Sequence, residues 1–75
     1  MTVYEFCIQK TRVHQLCVIR DEGWIVETVW IDSEDIFRIS NRSKNAKVKE
    51  TEFGELPIVT KDGIRVYVPC LYIDI

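Results

Sequence analysis

The sequence predicts a small, mainly β single domain (residues 1–75), bent strongly into an antiparallel barrel or roll, with a short helix as the alternative to a strand around residues 33–42. Three observations predict it. Seventy-five residues support one core, because a chain this short buries only roughly 60–65% of the surface it exposes unfolded. Apolar and polar positions alternate along most of the chain, with many β-branched and aromatic residues. Gly-containing turn signals divide these runs at Asp21-Glu22-Gly23, Gly54-Glu55 and Lys61-Asp62-Gly63.

Taken in order, Tyr4, Phe6 and Ile8 fit one face of a first strand, and after a polar break at Lys10-Thr11-Arg12 a second runs from Val13 to Arg20. The Asp21-Glu22-Gly23 turn leads into Trp24–Ile31, the longest strand. One face carries Trp24, Val26, Thr28 and Trp30, the other Ile25, Glu27, Val29 and Ile31, which suits a central strand covered on both sides. Asp32 or Ser33 can cap a helix whose first turn holds Glu34 and Asp35, while Asn41, Ser43 and Asn45 favour a loop over 41–46. Strands over 47–53 and 56–60 flank a turn at Gly54-Glu55. The Lys61-Asp62-Gly63 hairpin turn precedes a strand over 64–68, Pro69 interrupts pairing, and 71–75 forms a last strand.

Seven short strands in so small a chain suggest closure into a barrel, which removes unpaired edges. Asp21-Glu22-Gly23-Trp24 resembles the turn and tryptophan in the middle of SH3 domains, and Tyr67-Val68-Pro69-Cys70-Leu71-Tyr72-Ile73 resembles their closing segment. The resemblance implies an SH3-like barrel with a groove for proline-rich peptides lined by Trp24, Pro69 and Tyr72. It covers eleven residues; the acidic, aromatic first motif of that family is missing near the amino terminus, and the interval from Trp24 to Pro69 is longer than the family allows without an insertion.

Charge is distributed unevenly. Asp21, Glu22, Glu27, Asp32, Glu34 and Asp35 follow one another without a base, and Arg38, Arg42, Lys44, Lys47 and Lys49 without an acid. A net charge of −2 thus hides two opposed local fields, and outside the basic segment five bases face twelve acids. Forty-seven per cent hydrophobic residues place the chain among soluble globular proteins. No apolar run reaches membrane-spanning length and the amino terminus does not read as a secretory signal, so a cytoplasmic protein without membrane contact is expected. Three cysteines, Cys7, Cys17 and Cys70, fit buried thiols in a reducing compartment.

Little catalytic chemistry is legible. His14 and Cys17 point to opposite faces of a strand and no close Cys pair exists, so no metal site is assigned. One histidine, no nucleophile turn and no glycine-rich phosphate loop point to a non-enzyme without cofactor. The expected function is a macromolecular interaction module that binds, and blocks or modulates, a protein partner. By analogy alone, compact chains of this kind are common among phage and mobile-element accessory proteins that act as inhibitors. The partner-binding candidates are Arg38, Arg42, Lys44, Lys47 and Lys49, with Trp24 and Trp30 as interface anchors. The alternative is an RNA- or DNA-binding protein using basic segment 38–49 on phosphates, and homodimerisation is compatible with either. The partner's identity and the choice of phosphate or carboxylate as ligand are not written in the sequence.

Overall fold

The computed structural model describes residues 1–10, 14–31 and 35–75. They form helix α1 (Val3–Lys10), strands β1 (Gln15–Asp21) and β2 (Trp24–Ile31), a 3-10 turn (Asp35–Arg38), helix α2 (Asn41–Asn45), and strands β3 (Glu50–Val59) and β4 (Arg65–Asp74). The strands make one sheet in the order β2-β1-β4-β3. Both hairpins are antiparallel, but β1 and β4 are parallel, with Cys17 opposite Leu71 and Ile19 opposite Ile73. The sheet is therefore mixed and open. Edges β2 and β3 do not pair among the described residues, which corrects the expected closed antiparallel barrel.

The amino-terminal segment is a helix, not a strand. Thr2 and Glu5 explain the difference: the Glu5 amide donates to Thr2 Oγ1 (3.2 Å), and Thr2 N donates back to the Glu5 carboxylate (3.1 Å). This is a capping box, which satisfies two helix-end donors and outweighs the strand-like alternation that follows. Val3 and Cys7, one helical turn apart, are buried in the main core, whereas Ile8 is exposed.

The first hairpin turns as expected. Asp21 pairs with Trp24 across Glu22 and Gly23, whose φ values of 52° and 84° make the two-residue turn that matches strand twist. Val13 lies outside the described residues. A bulge at Ile19/Arg20 makes Glu27 face Ile19 and Ile25 face Arg20, leaving Val26 extra. Alternation slips there, so Trp24 does not share a face with Thr28 and Trp30. Nor is β2 central: it is an edge, and β1 and β4 occupy the middle.

Asp32, Ser33 and Glu34, the expected helix start, lie outside the described residues. Of the ambiguous stretch, 35–38 is a 3-10 turn, and the segment read as loop holds α2. Ser40 caps α2 through its Oγ, which accepts from Ser43 N (3.2 Å). This crossover carries the chain from edge β2 to edge β3 over one face of the sheet. There Ile36 and Ile39 join Val3, Cys7, Cys17, Ile19, Val29, Ile31, Leu71 and Ile73 in the main core. On the other face, Leu56, Val68 and Tyr72 pack against Leu16, Val18 and Cys70, so the second hairpin curls over that side.

Two expected breaks are absent from the second hairpin. Strand β3 runs through Gly54 and β4 through Pro69. Gly54 makes no turn; it lies under the Tyr72 ring, where an added Cβ would stand 2.8 Å from Cε2. The ring is held by its hydroxyl donating to Glu55 O (2.8 Å) and by the Arg20 guanidinium 4.2 Å from its centroid. Gly54→Ala should therefore cost about 1–3 kcal/mol. A urea titration checks it, and the cost should largely disappear in a Tyr72→Leu background.

Candidate interaction surface

Strand β4 pairs with β1 only from Leu71 onward. Pro69, two residues earlier, has no N–H to give β1, so there the sheet narrows to two strands. Residues 55–69 form a hairpin arm beside which no third strand pairs among the described residues. Its tip is closed by Gly63 N donating to Thr60 O (2.9 Å) and Thr60 N to Ile64 O (2.9 Å), with Gly63 at φ 79°. Pro57 pairs with Tyr67 and Pro69 with Glu55, positions of one parity, so both prolines fit where no N–H is owed across the hairpin. Pro57 then turns its missing donor to the open edge, which blunts strand addition at β3.

Register divides the arm's side chains. With the main-core face lie Phe53, Glu55, Pro57 and Val59 of β3 and Pro69, Tyr67 and Arg65 of β4; with the other lie Leu56, Ile58, Val66 and Val68. Beyond Leu71 every residue of the first set is exposed among the described residues. Phe53 is 79% exposed, Val59 64% and Tyr67 57%, and Pro57 and Pro69 are exposed beside them. Contiguous exposed apolar patches of this kind occur at interaction sites and ligand grooves. Ile58 and Val66 remain partly open on the reverse side.

The basic segment does not form one cationic arm. Arg42 Nη2 bonds Asp21 Oδ2 at 2.6 Å, Lys44 Nζ lies 4.8 Å from the Tyr4 ring centroid, and Arg38 has an interaction of its own. Lys47 and Lys49 are exposed without an ion pair among the described residues. Lys47 also bridges to Thr2, and the Lys49 amide donates to Asp74 O (2.7 Å). The chain's own acidic block takes up part of the basic segment. Trp24 is 80% exposed beside the first turn, and Trp30 46% exposed on the opposite face. The structure does not bring the two tryptophans together, and Trp24 and Tyr72 lie on opposite faces, so no groove joins them.

The strongest polar cluster is structural. Arg20 grips Asp74 with Nε–Oδ1 at 2.8 Å and Nη2–Oδ2 at 3.1 Å, and reaches Glu52 Oε1 at 2.8 Å. These bonds, to Asp74 first and then Glu52, raise the guanidinium pKa further. A cleft of about 450 Å³ beside it is lined by Arg20, Glu22, Lys49, Glu50, Asp74 and Ile75, with charges of both signs. Cys7 and Cys17 share a hydrogen bond in the main core; that bond and burial push the Cys17 thiol up. Cys70 is buried on the other face, and His14 is exposed. Among the described residues no three His, Cys, Asp or Glu side chains gather as metal ligands, and no helix is long and apolar enough to cross a membrane.

Compared with protein-family models, curated proteins and solved structures, the chain matches none of them. The candidate surface therefore rests on its own geometry. Phe53, Val59 and Tyr67 were not legible as surface residues, because a turn at Gly54 and a break at Pro69 divide the arm into ordinary short strands. The available signal was that both alternating sets of 53–59 and 64–68 hold apolar residues, Phe53, Pro57, Val59 and Tyr67 in one and Leu56, Ile58, Val66 and Val68 in the other.

Proposed function

We propose that this protein is a non-catalytic interaction module that binds another protein surface through the β3–β4 arm and acts by occupying it. The observation that carries this reading is the exposed row of Pro57, Val59, Tyr67 and Pro69 on the two-stranded arm, with exposed Phe53 at its base. An isolated hairpin is marginally stable in water, and burying such a face against a partner supplies what the arm lacks. Aromatic anchors dominate affinity, while Lys47 and Lys49 bias the approach of an acidic partner. An inhibitory role of the phage-accessory kind is one such use of an occupied surface.

Affinity capture after nuclease treatment tests the reading against a Phe53→Ser/Tyr67→Ser variant, whose changes spare both cores. A protein retained by the wild type and lost by the variant, a differently tagged second copy of this chain included, is the expected result; equal retention by both, or none by either, overturns it. Nucleic acid binding, the other reading, has Lys47 and Lys49 in its favour. Wild-type affinity for mixed oligonucleotides that falls steeply with salt and vanishes in Lys47→Glu/Lys49→Glu would place the function there instead.

A further inference from the structure

The outer face of the arm carries two charged side chains, of opposite sign. Glu55 precedes Pro57 by two residues on β3, Arg65 precedes Tyr67 by two on β4, and Pro57 and Tyr67 are paired across the hairpin. The two charges thus sit diagonally about the Pro57–Tyr67 pair, one toward the body and one toward the tip. A two-fold axis lying in that face near the pair exchanges their positions. Isologous contacts demand this self-complementarity, since a patch of one sign meets itself with repulsion.

Resting on the reading of the arm as the working surface, we infer that its occupant is a second copy of this chain. Two arms pack face to face about a two-fold axis at the Pro57–Tyr67 pair, and Glu55 of each protomer stands opposite Arg65 of the other. Tyr67 meets its own counterpart near the axis, and Phe53 and Val59 extend the apolar contact on either side. Face packing, and not strand addition, follows from Pro57, which spoils the free edge of β3 for pairing. A standard interface takes about 800 Å² from each partner. At 79% and 57% exposure Phe53 and Tyr67 offer roughly 200–340 Å² between them, and Val59, Pro57, Pro69 and the two charged side chains add to it, so the contact is smaller than the standard size and dissociates on dilution.

Light scattering on the full chain over a concentration series tests this. The expected mass is twice 8.9 kDa at high concentration, falling to 8.9 kDa on dilution. Arg65→Glu and Glu55→Arg each set like charges against each other twice and should raise the dissociation constant at least about tenfold, while the double exchange restores it. Within one chain the two residues lie about 13 Å apart along the strands at 3.3 Å per residue, so rescue reports a contact between chains. A wild type that stays monomeric throughout, or a double exchange as weak as the single variants, overturns the inference. A photo-reactive phenylalanine analogue at position 53 separates the two readings. Cross-linking to a second copy supports both, cross-linking to a different protein overturns self-pairing alone, and no cross-link overturns both. Circular dichroism confirms that each variant folds.

Discussion

Ile73→Ala should leave little folded protein at room temperature. Ile73 is fully buried on the second central strand, beside Ile19 on β1 and Thr51 on β3, and it packs in the core that also holds Val3, Cys7 and Ile36. Removing three carbons from such a site costs about 2–5 kcal/mol, the lost transfer energy plus the cavity left behind. A core of this size rarely supplies more than about 3–5 kcal/mol in total. The two ranges overlap, so one truncation is comparable with the whole stability. At about 4–8 °C per kcal/mol for a domain of this length, the thermal midpoint should fall by tens of degrees in circular dichroism at fixed low concentration, where association adds little. Val59→Ala on the exposed arm, by contrast, should stay within about 0.5 kcal/mol. A midpoint for Ile73→Ala within a few degrees of wild type would show that the main core does not hold this sheet together.

The same contrast explains how far the sequence could be read. The bounds of strand β2 were legible, as was the Glu22-Gly23 turn, because both are local, whereas the bulge opposite Ile19/Arg20 shifts its faces and its edge position depends on distant β4. The β3–β4 pairing was misread at Gly54 and Pro69, where the residue type signals a break and the tertiary setting removes the need for one. Gly54 makes room for the Tyr72 ring, which arrives from 18 residues further on, and Pro69 owes no N–H to β3. Sheet order was not legible either. A parallel β1–β4 pair joins segments separated by most of the chain, and nothing in their own alternation marks it. The charge dipole was real in sequence, yet its meaning reversed locally. Asp21 and Arg42, one from each block, pair within the molecule and tie the first turn to α2. The apolar face of the arm became visible only in the folded structure, which leaves Phe53, Val59 and Tyr67 exposed.

Glu27→Gln should flatten the acid limb of the stability curve, and Glu27→Ala should cost about 3 kcal/mol. Glu27 is the half-buried link between edge β2 and α2. Its carboxylate accepts from Ser40 N (3.2 Å), from Ser40 Oγ (2.6 Å) and from Ser43 Oγ, the last a fully buried hydroxyl. Truncation to alanine leaves that hydroxyl short of its acceptor and removes the group that holds the Ser40 cap in place. Burial by itself raises the Glu27 pKa, but the three hydrogen bonds from Ser40 and Ser43 together outweigh it and hold the carboxyl below its ordinary value. A carboxyl lowered on folding contributes stability that is fully present above its unfolded pKa of about 4.3 and is lost as pH falls through the folded value. The wild type should therefore weaken below about pH 4.3 by more than Glu27→Gln does, since the amide carries no proton to gain in that window. Urea midpoints measured between pH 7 and pH 3 for both proteins give the difference directly, since the two differ at position 27 alone. Parallel curves would mean that Ser40 and Ser43 do not hold the ionised form, and that Ile36, Ile39 and the Arg42–Asp21 ion pair anchor the crossover to the sheet.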